Sequence, residues 1–287
     1  MPIPVPEAVG DHTALAETKA AGSRRALRYL WSSVLAGVYV GMAIVLLISV
    51  SAPLAATGNA AAKLVQAAVF GLALTLVVFA GAELFTGNAM VMLQGWWQRR
   101  VGPADVGRVW GLSIVGNVVG SLVFAAVVHA GGTLAGPGAS LIATVTASKD
   151  AAAGPQLFWR AVLCNALVCL GLWMAARTKS DGAKLAVLWW ALLAFIGSGF
   201  EHSIANATTF GLGILQGSST WGALGRNLLW TVPGNVVGGG LVIGLGYAWS
   251  SGRRPVQGEA APQPAQAEAP VVQLPAYAVA STSSVQA

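Results

Sequence analysis

The chain has 287 residues, of which 55% are hydrophobic and only 9% are charged, and its mean hydropathy is +0.68. A soluble domain usually carries about 25% charged residues, so this composition excludes an ordinary water-soluble protein. The net charge of +6 does not indicate a nucleic-acid partner, because the basic residues flank apolar stretches as membrane topology requires. We therefore predict an all-α membrane protein with the lipid bilayer as its surroundings.

Residues 1–27 form a polar N-terminal segment with Asp11, Glu17 and Lys19 and no long apolar run. No cleavable signal peptide is predicted, because that requires an apolar core of 7–15 residues. We expect a cytoplasmic segment that contains a short helix. His12 is interpreted as a residue of this tail without a functional role.

Six apolar stretches follow, each long enough for a helix across about 30 Å of hydrocarbon, which takes about 20 residues. They cover roughly residues 29–50, 64–97, 108–130, 157–176, 185–215 and 226–250. Together they define a transmembrane channel domain, residues 28–251, in which 131–156 is predicted to be an external loop. Residues 252–287 are rich in Pro, Ala, Gln and Ser and are predicted to be a disordered cytoplasmic tail.

The basic residues are distributed unequally between the two sides of this arrangement. Four of the 16 Lys and Arg residues fall on one side: Lys63, Lys149, Arg160 and Arg226. The other twelve fall on the side of both chain termini. Cytoplasmic loops carry the excess of Lys and Arg, so both termini are predicted to be cytoplasmic.

The two halves of the chain repeat each other. The pentapeptide G-N-V-V-G at 116–120 recurs at 234–238, and the same shift of 118 positions carries Gly81 onto Gly199 and Glu83 onto Glu201. Each half contains three spans, an odd number, so the copies enter the membrane in opposite directions. An inverted repeat of this kind places a substrate path where the halves meet.

The second and fifth spans are both interrupted by small and polar residues. The interruptions read G-A-E-L-F-T-G-N at 81–88 and G-S-G-F-E-H-S-I-A-N at 197–206. In each span a second half-helix begins there, so its free N–H groups and positive dipole end face the protein centre. Two such N-termini at the midplane favour an anion or a polar neutral solute over a cation.

His202 is the strongest candidate for chemistry, because an ionisable residue within a span usually faces a cavity or a partner. The alternative is a histidine hydrogen-bonded to a backbone carbonyl. Asn206 lies four residues later on the same helix face, where it can hold the imidazole or contact the substrate. Thr86 can donate to an anion or to His202; alternatively it is a helix N-cap.

Glu83 and Glu201 could be proton carriers. The preferred prediction is that they hold the interruptions in shape by accepting from free backbone N–H groups, since a carboxylate on an anion path would repel the substrate. Asn117 and Asn235, inside the G-N-V-V-G copies, either bind the exposed backbone of the interruptions or reach the path. Lys149 is an external lysine that can draw in an anion, although a loop lysine is more often simply solvated.

Several segments resemble the signatures of the formate/nitrite transporter family. They are A-G-A-E-L-F-T-G-N (80–88), F-I-G-S-G-F-E-H-S-I-A-N (195–206) and G-N-V-V-G-G-G (234–240), and the likeness extends over about residues 28–250. The bacterial nitrite-channel branch is the most similar, on W-S-S-V-L-A-G-V-Y-V-G (31–41), L-C-N-A-L-V-C-L (163–170), W-W-A-L-L-A-F-I (189–196) and R-N-L-L-W (226–230).

The resemblance implies a homopentamer of aquaporin-like protomers, each with its own pore. By motif position, Thr86 and His202 correspond to the central threonine and histidine, and Asn206 follows them. Leu74 and Phe195 correspond to apolar constrictions above and below the histidine, with Phe70 near Leu74. Lys149 corresponds to the vestibule lysine and Asn235 to the pore-side asparagine.

The predicted function is a passive or proton-coupled channel for small anions, with nitrite first and formate or hydrosulfide as alternatives. In one mechanism a proton from His202 or water converts nitrite to neutral nitrous acid, which crosses the apolar rings. In the other the anion itself is conducted and His202 is a pH-sensitive gate.

Two other functional classes are less well supported by the sequence. A water channel of the aquaporin type would have two N-P-A boxes, which this chain lacks. An intramembrane enzyme using His202 and Glu201 lacks a nucleophile, so no enzymatic activity is predicted. No cofactor or metal is expected, because Cys164 and Cys169 belong to no His/Cys cluster and zinc needs about four ligands.

Overall fold

The structure of the protein is a computed structural model that describes residues 1–251. Within this range every regular element is helical and no strand occurs, which confirms the all-α class. The predicted tail, 252–287, lies outside the described residues. The helices are α1 (Val5–Ser23), α2 (Ala26–Ala56), α3 (Ala61–Val69), α4 (Leu72–Leu76), π1 (Val77–Gly81), α5 (Phe85–Trp97), α6 (Pro103–Ala130), α7 (Pro137–Ala151), α8 (Gly154–Ala176), α9 (Asp181–Gly197), α10 (Ser203–Leu215), α11 (Trp221–Asn235), π2 (Val236–Leu245) and α12 (Gly246–Ser250).

Five helical runs among the described residues are long and apolar enough to cross a membrane by length and composition. They are Ala26–Ala56, Ala61–Gly81, Pro103–Ala130, Gly154–Ala176 and Trp221–Ser250. The remaining predicted stretch, 185–215, is divided between α9 with 17 residues and α10 with 13. Each of these pieces is shorter than a full crossing, which takes about 20 residues.

Two short non-helical connectors separate the pieces of the interrupted stretches. The first connector, residues 82–84, lies between π1 and α5, and the second connector, residues 198–202, lies between α9 and α10. The backbone turns at Gly81 with φ +79° and at Gly199 with φ +73°. A residue with a Cβ is strained in this left-handed region, so the repeated glycines have a direct conformational cause.

The G-N-V-V-G copies pack their helices closely in the same way. Helix α2 runs along α6, and α8 runs along α11 and π2. A Cβ at Gly120 would overlap the carbonyl oxygen of Val34, and one at Gly238 would overlap that of Val162. The repeated glycine therefore allows close helix approach in each half.

Helix α7 corrects one prediction. The stretch 131–156 was predicted to be an external loop, but α7 occupies 15 of its residues, Pro137–Ala151. Proline at the first helical position favours this start, because its missing N–H would be unpaired there in any case. Lys149 consequently lies in the last turn of a helix.

Candidate functional site

The starts of α5 and α10 meet at Thr86 and His202. Oγ1 of Thr86 lies 3.1 Å from Nε2 of His202, although the two residues are 116 positions apart in the chain. Both are buried, with 0% of Thr86 and 4% of His202 exposed. The two connectors therefore bring the starts of two helices to one point.

His202 is itself the N-cap of α10. Its Nδ1 accepts the backbone N–H of Ala205 at 3.2 Å. A nitrogen that accepts carries no hydrogen, so the bond assigns the ring hydrogen to Nε2, which donates to Thr86 Oγ1. The alternative prediction for His202, a bond to a backbone carbonyl, is not what the structure shows.

Thr86 is not the N-cap of α5, which corrects the alternative considered for it. The cap position is Leu84, and Thr86 lies inside the first turn. Its carbonyl oxygen accepts from Asn165 Nδ2 at 3.1 Å and from Cys169 Sγ at 3.3 Å. These two contacts from α8 hold the backbone of Thr86 in place behind the hydroxyl.

Apolar side chains close the space around the imidazole. Phe70, Leu74 and Phe195 line one small cavity with His202, and its volume is about 10 Å³. The rings of Phe70 and Phe195 are perpendicular with centroids 5.5 Å apart, and Phe195 stacks on His202 at 6.0 Å. Such a volume admits about one water molecule. The three predicted constriction residues thus lie together at the histidine.

Asn117 holds the first connector and Asn235 holds the second by matching hydrogen bonds. Oδ1 of Asn117 accepts from Phe85 N at 2.8 Å, and Oδ1 of Asn235 accepts from Ser203 N at 3.0 Å. Each Nδ2 donates to two backbone carbonyls, one of which is that of Glu83 or Glu201. Both asparagines thus bond to backbone groups at the connectors, and neither side-chain amide has a hydrogen left for a substrate.

Glu83 bonds to side chains and not to the backbone N–H groups predicted for it. Its Oε2 lies 2.6 Å from Lys19 Nζ, accepts from Tyr29 Oη at 2.6 Å and accepts from Asn88 Nδ2 at 3.1 Å. We call Lys19, Tyr29, Glu83 and Asn88 the Glu83 cluster. Asn117 already accepts from the first backbone N–H of α5, so the Glu83 carboxylate binds the Lys19 ammonium instead.

Glu201 departs from its prediction in the same way. Its Oε2 lies 2.8 Å from Lys149 Nζ and accepts from Asn206 Nδ2 at 2.7 Å. We call Lys149, Glu201 and Asn206 the Glu201 cluster. Asn206 holds the carboxylate and not the imidazole, and Lys149 is ion-paired with only 18% of its side chain exposed.

The Glu83 and Glu201 clusters each contain a glutamate and an asparagine that the internal repeat relates. The shift of 118 positions that carries Glu83 onto Glu201 also carries Asn88 onto Asn206. Each lysine comes from the helix that precedes the first long span of its half, α1 for Lys19 and α7 for Lys149. Lys19, Tyr29 and Asn88 were not among the predicted site residues; of these, only Asn88 carried a signal in the sequence, its recurrence as Asn206 in the register of the repeat.

His12 also departs from its prediction as a residue of a free tail. It is 6% exposed, its Nδ1 lies 2.7 Å from Gln94 Oε1, and its ring packs edge-on against Trp173. Burial lowers the pKa of His12 below its ordinary value of 6.5, and the hydrogen bond to Gln94 opposes this only in part. Helix α1 is therefore packed on the rest of the protein by a neutral imidazole.

A family model described as Formate/nitrite transporter matches residues 7–249. The chain belongs to the formate/nitrite transporter family. The resemblance found in the sequence motifs is thereby confirmed, and it extends into α1, ahead of the first predicted span.

Members of the formate/nitrite transporter family with similar sequences include the Nitrite transporter NirC of Escherichia coli K12. It is 42% identical over 235 residues, which cover 78% of this chain and 85% of the relative. NirC of Salmonella typhimurium is 41% identical, covering 77% and 82%. The Probable formate transporter of Methanothermobacter thermautotrophicus is 37% identical, covering 75% and 85%.

Solved structures of the family show the same fold. An FNT family ion channel matches with a TM-score of 0.80 and 37% identity, covering 85% of this chain and 98% of the other. A pentameric formate channel with formate bound matches with a TM-score of 0.67 and 25% identity, covering 80% and 99%.

Proposed function

We propose that this protein is a membrane channel for small monovalent anions, with nitrite as the preferred ion. Family membership supports the transport class, and the NirC relatives at 41–42% identity support nitrite. The second candidate is formate, which the 37% identity to a probable formate transporter supports. Both ions are small conjugate bases that a single proton makes neutral.

The proposed architecture has six spans in two inverted repeats, with the connectors inside the second and fifth spans. The shift of 118 positions between the halves supports the repeat, and the excess of Lys and Arg supports cytoplasmic termini in a bacterial inner membrane. Similarity to a pentameric formate channel supports a homopentamer. On this topology the Glu83 cluster faces the cytoplasm and the Glu201 cluster faces outside.

The contact between Thr86 and His202 carries the proposal. Two helix starts meet there, and their positive dipole ends and the Thr86 hydroxyl, which the imidazole N–H orients, favour a negative charge. The adjacent cavity is apolar and about 10 Å³ in volume, so a bare anion would lose its hydration there at a large cost. A neutral acid avoids that cost, which makes protonation of nitrite next to the constriction the favourable route.

The cap on α10 indicates where the proton comes from. Neutral His202 carries its only ring hydrogen on Nε2, and giving that hydrogen away would leave an imidazolate. Protonating Nδ1 first would remove the acceptor of Ala205 N–H. We therefore assign His202 the role of a neutral hydrogen-bond donor and water the role of proton source; the hydroxide that forms with nitrous acid stays in the solvent.

The two lysines act at short range in this proposal. Lys149 and Lys19 are each paired with a carboxylate, at 2.8 Å and 2.6 Å, so neither pair carries net charge. An ammonium group has three hydrogens, and those not bonded to the carboxylate remain donors for an arriving anion. The Lys19–Glu83 and Lys149–Glu201 pairs thus favour anions at the two ends of the path by hydrogen bonding, without producing a strong long-range electric field.

Initial rates of nitrite and formate uptake into proteoliposomes, measured side by side on purified protein, test the proposal. We expect both ions to cross and nitrite to cross faster. Faster formate uptake would show that formate is the preferred ion, and the protein would still be an anion channel. Uptake of neither ion above empty liposomes would overturn the proposed function.

A further inference from the structure

Helix α11 contributes two adjacent side chains, Arg226 and Asn227, that reach the surroundings of the Glu201 cluster. Neither was among the predicted site residues. We propose that both are positioning residues: Arg226 fixes the helix that carries Lys149, and Asn227 fixes the amide of Asn206. Their functional consequence rests on the proposed anion channel, whereas the positioning itself is a property of the structure.

Arg226 caps the C-terminal end of α7. Its Nη1 donates to the carbonyl oxygen of Asp150 at 2.9 Å, and its Nη2 donates to that of Ala152 at 2.7 Å. Helix α7 ends at Ala151, so these carbonyls belong to the end of the helix, where no intrahelical partner exists. A planar guanidinium can bridge two such oxygens and also suits the negative end of the helix dipole.

This cap acts directly beside Lys149. The lysine immediately precedes Asp150 in the last turn of α7, and its Nζ reaches Glu201 Oε2 at 2.8 Å. A long lysine side chain keeps one geometry only if its backbone is fixed, because it otherwise samples many rotamers. Arg226 supplies that fixation through the main chain on which Lys149 sits.

Asn227 acts on the other partner of Glu201. Its Oδ1 accepts from Asn206 Nδ2 at 2.8 Å, while the same Nδ2 donates to Glu201 Oε2 at 2.7 Å. The amide of Asn206 is thereby held between a carbonyl and a carboxylate. Asn227 is 1% exposed, so its contact with Asn206 is shielded from water.

The first half of the chain, which lies within the described residues, has no equivalent of the Arg226 cap or of the Asn227–Asn206 hydrogen bond, and its equivalent positions provide matched controls. The repeat shift carries Arg108 onto Arg226 and Val109 onto Asn227. Arg108 pairs with Asp105 three residues earlier on its own helix, and its side chain is 39% exposed against 40% for Arg226. Arg108→Gln therefore removes a similar charge at the equivalent position without uncapping α7.

The first test measures how fast Lys149 reacts with an amine-acylating ester, followed by mass spectrometry of the purified protein. We expect Arg226→Gln and Asn227→Val each to raise the labelling rate of Lys149 several-fold. Arg226→Lys, which keeps the charge but cannot bridge two carbonyls, should fall between Arg226→Gln and the unmutated protein. Lys19 serves as the internal reference and should label at an unchanged rate in every variant.

A double-mutant cycle then connects positioning to transport. Arg226→Gln should lower nitrite uptake about tenfold, because small displacements of a binding group are costly. In a Lys149→Gln background the same change should lower uptake no further, since residues that act through one group are not additive. Arg108→Gln should leave uptake unchanged.

The proposal is overturned if Lys149 labels at the same rate in Arg226→Gln and Asn227→Val as in the unmutated protein. Equal acceleration in Arg108→Gln, or of Lys19, would overturn it as well, because that indicates general loosening. If the double variant loses uptake by the product of the two single losses, Arg226 does not act on transport through Lys149. If the unmutated protein moves neither nitrite nor formate while labelling of Lys149 still rises, the proposed function fails and the positioning stands.

Discussion

Nε2 of His202 and Oγ1 of Thr86 are 3.1 Å apart; Thr86 lies in the first turn of α5, and His202 is the N-cap of α10 in the other half of the chain. The contact joins the two repeats at a point where both helix starts present donors. It also orients the hydroxyl, because the imidazole hydrogen on Nε2 occupies one lone pair of Oγ1. The contact therefore depends on both connectors, because the first precedes Thr86 and the second ends at His202.

Replacing Thr86 with valine keeps the shape of the side chain and removes the hydroxyl. We expect nitrite uptake to fall about tenfold, the factor that about 1.4 kcal/mol gives, and unfolding free energy to fall by about 1 kcal/mol. Uptake into proteoliposomes and thermal unfolding in detergent measure the two effects. Thr209→Val is the matched control, since its buried hydroxyl donates within its own helix, to Ala205 O. Equal uptake by Thr86→Val and the unmutated protein would remove the hydroxyl from the path.

Removing the amide of Asn117 should destabilise the first connector. In Asn117→Ala the backbone N–H of Phe85 loses its acceptor in a buried position, which costs about 2 kcal/mol. The midpoint of thermal unfolding should fall, and Asn235→Ala should fall by a similar amount because its bonds are the same in kind. Asn59→Ala, at an exposed turn, should leave the midpoint unchanged. A large loss for one connector and none for the other would contradict their equivalence.

The Lys19–Glu83 pair should show strong coupling in stability. Glu83→Gln leaves a mostly buried ammonium without its counter-charge, and we expect a loss of about 2 kcal/mol. Lys19→Met alone should also destabilise, because it strands the carboxylate. The double variant should recover part of the loss, since no isolated charge remains. Strictly additive losses in thermal unfolding would show that the pair does not act as a unit.

Acidification should loosen helix α1 through His12. Because burial lowers the pKa of His12 below 6.5, the folded protein keeps a neutral ring while the unfolded chain takes up a proton. The stabilisation is therefore present above pH 6.5 and is lost as the pH falls below it. Limited proteolysis of α1 between pH 8 and pH 5 should show faster cleavage at low pH, and His12→Gln should reduce that dependence.

His129→Gln is the matched control for the pH series, because His129 lies at the C-terminal end of α6, where it lines a cavity with Ile142 of α7 and Leu212 of α10. Its cleavage profile should follow that of the unmutated protein. An unchanged profile in His12→Gln would assign the pH dependence to another group.

Local sequence patterns predicted the two connectors, because the small and polar residues that interrupt the helices are adjacent in the sequence. Gly81 and Gly199 end their helical runs by positive φ, and the register of the repeat marks both connectors before any coordinates are known. The apolar residues Phe70, Leu74 and Phe195 came from family resemblance, and the structure places them around His202. Motif position thus indicated which residues lie near His202, whereas their role as constrictions stays a prediction.

The partners of the two glutamates could not be predicted in the same way. Glu83 meets Lys19, 64 positions earlier, and Glu201 meets Lys149, 52 positions earlier. Such contacts depend on how α1 and α7 pack, and neither helix carries a strong periodic signal in the sequence. The polar composition of α1 indicated solvent, whereas its small residues Ala8 and Ala16 are fully buried.

Nitrite uptake by His202→Phe and His202→Asn tests the central claim most directly. Phenylalanine removes both ring nitrogens, whereas asparagine keeps an acceptor for the N–H of Ala205 and an amide donor toward Thr86. The account predicts rapid uptake by the unmutated protein, none above empty liposomes for His202→Phe, and substantial uptake for His202→Asn. Undiminished uptake by His202→Phe would contradict an anion path through the contact between Thr86 and His202.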